Sequence, residues 1–274
     1  MNQLFSFKRF SLLVSKHWAD NKKRYTLSVL AFIGLLITWF VLTILTGFEI
    51  VPMGREVQTI TFFFLLFAVG SFYASQYFNE LGSRPKAMNF LLVPASAFEK
   101  LLCSLLYTAL LFLVVFITSF YIVDLLMVNI ANALPVNAQS NEKAAVVNVF
   151  DMLLIPFNKD TTFNFLFFFL SIQSAFLLGS VYFEKYSFIK TIISGFAIGF
   201  IIFCFVYFFY DQLLPSGHHP KGFLTSYVVQ VDGANDRLVE IPGWIGNGFR
   251  FLLLYGVAPL LWIVTYYRLK EKQV

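Results

Sequence analysis

The stretch "RPKAMNFLLVPASAFEKLL", residues 84–102, decides how this chain is organised. It separates two apolar runs, 60–78 and 101–127. Each is long enough to cross a bilayer, which takes about 20 mostly apolar residues in helix. The stretch opens with the basic residues Arg84 and Lys86, turns apolar, meets a proline and closes on a helix-start signal. Ser96, Ala97, Phe98 and Glu99 fit a capping box, in which the Ser96 side chain takes the Glu99 amide and the Glu99 side chain reaches back to the Ser96 amide. Pro94 disfavours helical backbone just before it, so a new helix starts near Ala97 and continues as the third span. Ahead of the proline, "KAMNFLLV" suits a short helix at the membrane surface. A helix over about 84–93 either lies on lipid or docks into a groove of a partner through Met88, Phe90, Leu91 and Leu92.

Outward from this stretch, four more runs qualify as spans: 25–45, 163–183, 188–210 and 248–267. The chain is 58% hydrophobic and only 13% charged. Soluble domains carry about 25% charged residues, so a soluble fold is excluded. Open strands would leave backbone groups unpaired in lipid, and the runs are too continuous for the alternating strands of a barrel. The expectation is a single transmembrane domain over 1–274: an all-α integral membrane protein with six transmembrane helices. The 36 phenylalanines suit lipid-facing helices and carry no functional signal of their own. Cys103 and Cys204 both sit inside apolar runs, so no disulfide framework is indicated.

Lys and Arg set the orientation. With both termini cytoplasmic, only Arg55, Lys143, Lys159, Lys221, Arg237 and Arg250 of the 20 basic residues fall outside. The net charge of +5 is therefore a topology signal, and nucleic acid is not an expected partner. Arg9 and Lys16 interrupt the apolar character of the N-terminal segment, so a secretory signal is not expected there. In that segment, 1–24, Phe7, Phe10, Val14 and Trp18 share one helical face. They predict an interfacial helix along the inner leaflet, against the plainer reading of a basic flank.

On the outer side, 128–162 and 211–247 are substantial loops. A short helix is conceivable over 144–154. "SYVVQVDGANDRLVEIP" reads as a hairpin, with β-branched residues flanking a Gly/Asn/Asp turn. These loops either cap a pathway or simply connect spans. Asp124 is the only acid well inside a run, which makes it a candidate pathway residue; its distance from the start of the third span places it near the outer interface, where the plainer reading is a wet, structural residue. Gln76 and Gln173 either line a pathway or hydrogen-bond between helices. Gly70 with Ala74, Ala175 with Gly179, and Gly195 with Gly199 have the small-residue spacing that lets helices approach closely. Pro259 predicts a bend in the last span. His218 and His219 are adjacent, but no further ligand stands at metal spacing, and no metal is expected. No catalytic set and no phosphate-binding loop occurs, so the chain is not expected to be an enzyme.

The layout, together with residues 92–100, "LVPASAFEK", resembles the permease subunit of type-2 ABC exporters, where a Leu-Pro-Ala-Ser-x-x-Glu-Lys phrase is common among Bacteroidetes-type bacteria. Val93 is a departure from that phrase. The ending "YRLKEKQV" is also similar. The resemblance implies that 84–93 is a coupling helix, with Arg84, Lys86, Met88, Phe90, Leu91 and Leu92 facing a separate nucleotide-binding ATPase subunit. It implies that residues 94–100, with Pro94, Ser96 and Glu99 among them, are the hinge into the third span and that the N-terminal segment is an elbow helix. It further implies a second permease copy, identical or related, and ATP with magnesium bound only by the partner. The location would be a bacterial inner membrane and the direction export. The alternatives are a non-transporting membrane scaffold or sensor, and an integral-membrane enzyme.

Overall fold

The computed structural model describes residues 5–46, 53–133, 144–148, 165–213, 218–220, 226–229, 237–240, 244, 248 and 251–272. Six helices among them are long and apolar enough to cross a membrane. They are α1 (Phe7–Thr46), α2 (Arg55–Gln76), α4 (Ala97–Ala133), α5 (Phe165–Tyr182), α6 (Ser187–Leu213) and α7 (Leu252–Glu271). A short helix, α3 (Arg84–Leu91), and the 3-10 turn Asn79–Gly82 lie between α2 and α4.

The N-terminal segment and the first span are one helix of 40 residues, with no break where an elbow would end. No proline occurs between Phe7 and Thr46, and Gly34 is the sole glycine there. The Lys22-Lys23-Arg24 run is made of good helix formers, so nothing interrupts the ladder. At 1.5 Å per residue the helix is about 60 Å long, roughly twice the hydrocarbon core. One stripe carries it against the rest of the protein: Phe10, Leu13, His17, Asn21, Tyr25, Phe32, Leu36, Phe40 and Ile44, all buried or half-buried. The stripe is not the apolar face expected to lie on the inner leaflet. Phe7 and Trp18 point outward, Leu13 and His17 inward, and Phe10 and Val14 are half-buried. Lipid and protein both accept apolar side chains, so apolar periodicity alone does not say which of two apolar faces meets protein.

α5 is the hub, packed against α2, α6 and α7, while α1 packs along α4. Gly70 of α2 lies against Phe169 of α5, where an added Cβ would come within 2.6 Å of the ring. Gly179 of α5 sits just as tightly on Thr191 of α6. Ala74 is fully buried and Ala175 half-buried. Gly195 and Gly199 are different: an added Cβ would meet nothing within 4 Å, and α6 is exposed along most of its length.

The helix ends sort into two groups. At one end Gly82 abuts the Glu184 carbonyl, and Leu81, Ala97, Val181 and Leu269 share one apolar cluster. Ser6 and Arg9 meet Glu99 there too. This is the basic end. At the opposite end, residues 144–148 form a non-helical strap, and 149–154 lie outside the described residues. Two side-chain amides bind the strap as a neighbouring strand would. Gln58 donates to Ala145 O (3.0 Å) and accepts from Val147 N (3.0 Å). Asn132 donates to Ala144 O (2.9 Å) and accepts from Ala144 N (3.0 Å).

The predicted hairpin is present. β2 (Ser226–Val229) pairs antiparallel with β3 (Arg237–Glu240), and β1 (His218–Pro220) adds a third strand on β2. In α7, Leu252–Gly256 is a π-helical turn that runs directly into the proline-containing helix. Pro259 has no N–H to offer the preceding turn, and the wider turn accommodates the lost bond.

The packing makes opposite demands on two of the glycines, one against backbone and one in open space. Gly82→Ala should lower stability in detergent by about 1–3 kcal/mol, because backbone blocks the new methyl. Gly199→Ala should be neutral or slightly stabilising. Thermal unfolding of both variants checks this.

Candidate functional site

The residues predicted to matter most converge at the basic end, around the first two turns of α4. The capping box is formed: Glu99 N donates to Ser96 Oγ (3.1 Å), and Ser96 N donates to Glu99 Oε2 (2.9 Å). Ser96 has extended backbone and Ala97 begins the helix, as the sequence predicts.

Glu99 does more than cap. Its Oε1 accepts from the backbone N–H of Ser6 (2.7 Å) and from Arg9 Nε (3.2 Å) and a terminal nitrogen of Arg9 (3.0 Å). The carboxylate is fully buried, whereas Arg9 is 38% exposed. One side chain therefore fastens the start of α1 to the start of α4 across more than 90 residues of sequence. A buried carboxylate without such donors would be costly; with several charge-assisted or backbone bonds it is satisfied.

The next residue closes the other side. Lys100 is buried, and its Nζ donates to the carbonyl of Leu91 (3.2 Å) at the C-terminus of α3. It also sits 5.1 Å from the Phe90 ring centre. A cation at a helix C-terminus meets unpaired carbonyls and the negative end of the helix dipole. Sequence reasoning counts Lys100 as a topology charge and misses this role. Its place immediately after the capping-box Glu, one turn from the proline break, is the signal that could have found it.

α3 is thus held in place, and its residues divide. Phe90 packs edge-on to Phe78 at 5.9 Å, and Leu91 joins the same inner cluster. Met88 and Leu92 are exposed, at 59% and 79%. Lys86 and Pro94 are exposed as well, and Ser96 is half-buried. Arg84 begins α3. Of the four predicted anchors, then, two face out and two face in. Beside them a cavity of about 510 Å³ opens between α1 and the α3–α4 connection. Leu12, Leu13, Leu92 and Val93 line it, with Arg9 and Lys16 among the lining residues.

Above this corner α4 is not regular. Leu106–Leu111 is a π-helical segment containing the buried Tyr107 and Thr108. The side-chain amide of Gln173 in α5 donates to the Thr108 carbonyl there. Tyr107 donates to Val14 O of α1 (2.9 Å). A π-bulge frees carbonyls from the helical ladder and often marks a functional segment. Gln173 is therefore bound between helices. Gln76 lies at the C-terminal end of α2 and accepts from Asn79 (3.1 Å).

Asp124 departs from expectation. It is 1% exposed, and neither carboxylate oxygen has a hydrogen-bond partner among the described residues. The residue is packed inside α4 rather than wetted at the interface.

Compared with known proteins, the chain matches no family model, no curated protein and no solved structure.

The corner predicts a graded response. Glu99→Ala should cost roughly 3 kcal/mol, since it strands Arg9 and two backbone donors, with half-exposed Arg9 reducing the loss. Ser96→Ala should cost about 1 kcal/mol through the lost cap. Lys8→Ala, on the exposed side of the same helix, should stay within about 0.5 kcal/mol. Unfolding midpoints in one detergent rank the three.

Proposed function

We propose that this chain is the membrane permease subunit of an ATP-driven ABC transporter and that the basic end is its cytoplasmic face. On this reading α3 is the coupling helix, the N-terminal part of α1 serves as the elbow, and a separate subunit binds and hydrolyses ATP. Two permease copies would flank the pathway in a bacterial inner membrane, and transport would run outward.

The observation that carries the reading is the Glu99–Lys100 corner. Through Lys100 it holds the end of α3, and through Glu99 it holds the start of α1, and both are joined to the first turn of a transmembrane helix. A push on the exposed side of α3 is delivered to α4 without an intervening flexible loop. Packed elements of this kind shift as bodies rather than deforming continuously, which suits a transporter alternating between two states. The adjoining cavity, with its apolar lining and two basic residues, fits an apolar anchor flanked by acids on a soluble partner.

The division of α3 specifies the variants. Met88→Asp with Leu92→Asp should leave the protein folded and abolish co-purification of an ATPase subunit from native membranes. Phe90→Asp should instead cause loss of folded protein, because the ring is packed against Phe78. Recovery of an unchanged ATPase complex with the Met88/Leu92 variant would sink the docking assignment. Failure of the wild-type chain to bring down any nucleotide-binding subunit would sink the transporter reading itself.

A further inference from the structure

A second cavity, of about 440 Å³, lies among α1, α2 and the π-helical part of α4. Its walls are almost wholly apolar: Val29, Phe32, Val69, Leu111, Phe112 and Phe116 are among them. The volume falls in the range of about 300–1,000 Å³ typical of small-molecule sites. Trp18 and Leu30, both exposed, are among its lining residues, so the cavity is open at the outer surface of the helices.

At its basic end the cavity shares two residues, Tyr25 and Tyr73, with a small polar chamber. That chamber is lined by His17, Asn21, Arg24, Gln76, Tyr77 and Glu80. It has a volume of about 30 Å³, and a cavity needs about 10–15 Å³ to hold one water-sized group. His17 Nε2 and the Tyr25 hydroxyl are 2.5 Å apart, and the His17 ring packs on Tyr77 at 4.9 Å and Tyr107 at 4.5 Å. Arg24 and Glu80 give the chamber one charge of each sign.

We infer that the two chambers together form a binding site for a small single-chain amphiphile drawn from the leaflet at the basic end. Its apolar body fills the space between Val69 and Phe116, and an uncharged polar end, a hydroxyl or amide, meets the hydroxyls of Tyr25 and Tyr73, which are hydrogen-bonded to each other at the junction of the two chambers. The enclosed part of the polar chamber has room for little more than one water-sized group, which suits a hydroxyl or amide. The mixed donors and acceptors of the Tyr, His and Gln side chains suit a group that both gives and takes a hydrogen bond. The balance of Arg24 against Glu80 favours a neutral end over an ion. The site borders Tyr107 and Leu111 of the π-helical segment, so occupancy would bear directly on the irregular part of α4.

The inference goes beyond the transport reading, because binding is expected of the isolated full-length chain with no ATPase present. The probe is 2-bromododecan-1-ol, whose bromine is carried next to the hydroxyl and so within quenching reach of Trp18, whose ring lies 6.0 Å from that of Tyr25; it is titrated into the purified protein in nanodiscs. The expected result is saturable quenching that Trp18→Phe removes and Val69→Phe, which fills the cavity, abolishes. Tyr73→Phe should weaken the alcohol roughly fivefold, the loss of about one hydrogen bond, and leave 2-bromododecane, which lacks the hydroxyl, unchanged. Non-saturable quenching, or quenching equal in the wild type and Val69→Phe, would overturn the site. A stoichiometric phospholipid that the alcohol fails to displace would overturn the ligand class. Should Val69→Phe not fold, equal affinity of wild type and Tyr73→Phe for the alcohol overturns the proposal on its own.

Discussion

The fully buried carboxylate of Glu99 is the constraint on which the basic end of this protein depends. An ionised group taken out of water must be surrounded by donors, and the donors it finds belong to two separate elements. Ser96 is local and sets where α4 begins. Ser6 and Arg9 come from the start of α1 and set where that helix lies. Lys100, one residue on, performs the complementary task for α3 by supplying a cation to its carbonyl end. Two adjacent residues of opposite charge thus fasten three helices at one corner. The sequence order carries meaning: a helix N-terminus favours the acid, and the cation next to it reaches back across the proline break.

The same corner fixes where the long α1 lies along α4. Between Ser6 and Phe40 it covers about 51 Å, while its partners from Glu99 to Phe120 on α4 cover about 32 Å. The excess falls where Val14, His17 and Tyr25 all meet the single side chain of Tyr107. That tyrosine lies in the π-helical segment, whose Thr108 carbonyl is engaged by Gln173 from α5. The irregular turn of α4 is therefore where three helices are reconciled, and the amphipathic cavity opens beside it. At the opposite end Gln58 and Asn132 imitate a strand edge to hold the 144–148 strap.

Much of this was legible in the sequence because the signals are local. Continuous apolar runs imply spanning helices, Ser96 and Glu99 imply the cap, and the Gly/Asn/Asp turn implies the hairpin. What stayed hidden is long-range. Nothing in the local sequence says that Glu99 meets Ser6 and Arg9, or that Lys100 is buried. The protein-facing stripe of α1 was not legible, because apolar periodicity picks out exposed Phe7 and Trp18 as readily as buried Leu13. Asp124 was placed by counting residues from the start of its span, and depth along an axis does not reveal which side of a helix is covered. Gly179 and Gly199 have the same spacing signature, yet one is pressed against Thr191 and the other touches nothing.

A corner that relays force must be stiff, and its stiffness must come from Glu99. Hydrogen–deuterium exchange on the full-length protein, wild type against Glu99→Ala, measures this directly. Amides of residues 6–12 should exchange at least about tenfold faster in the variant, with residues 26–45 of the same helix unchanged, because only the first turns are tied to the carboxylate. Equal protection of residues 6–12 in both proteins would show that the start of α1 is held without Glu99 and would contradict the account.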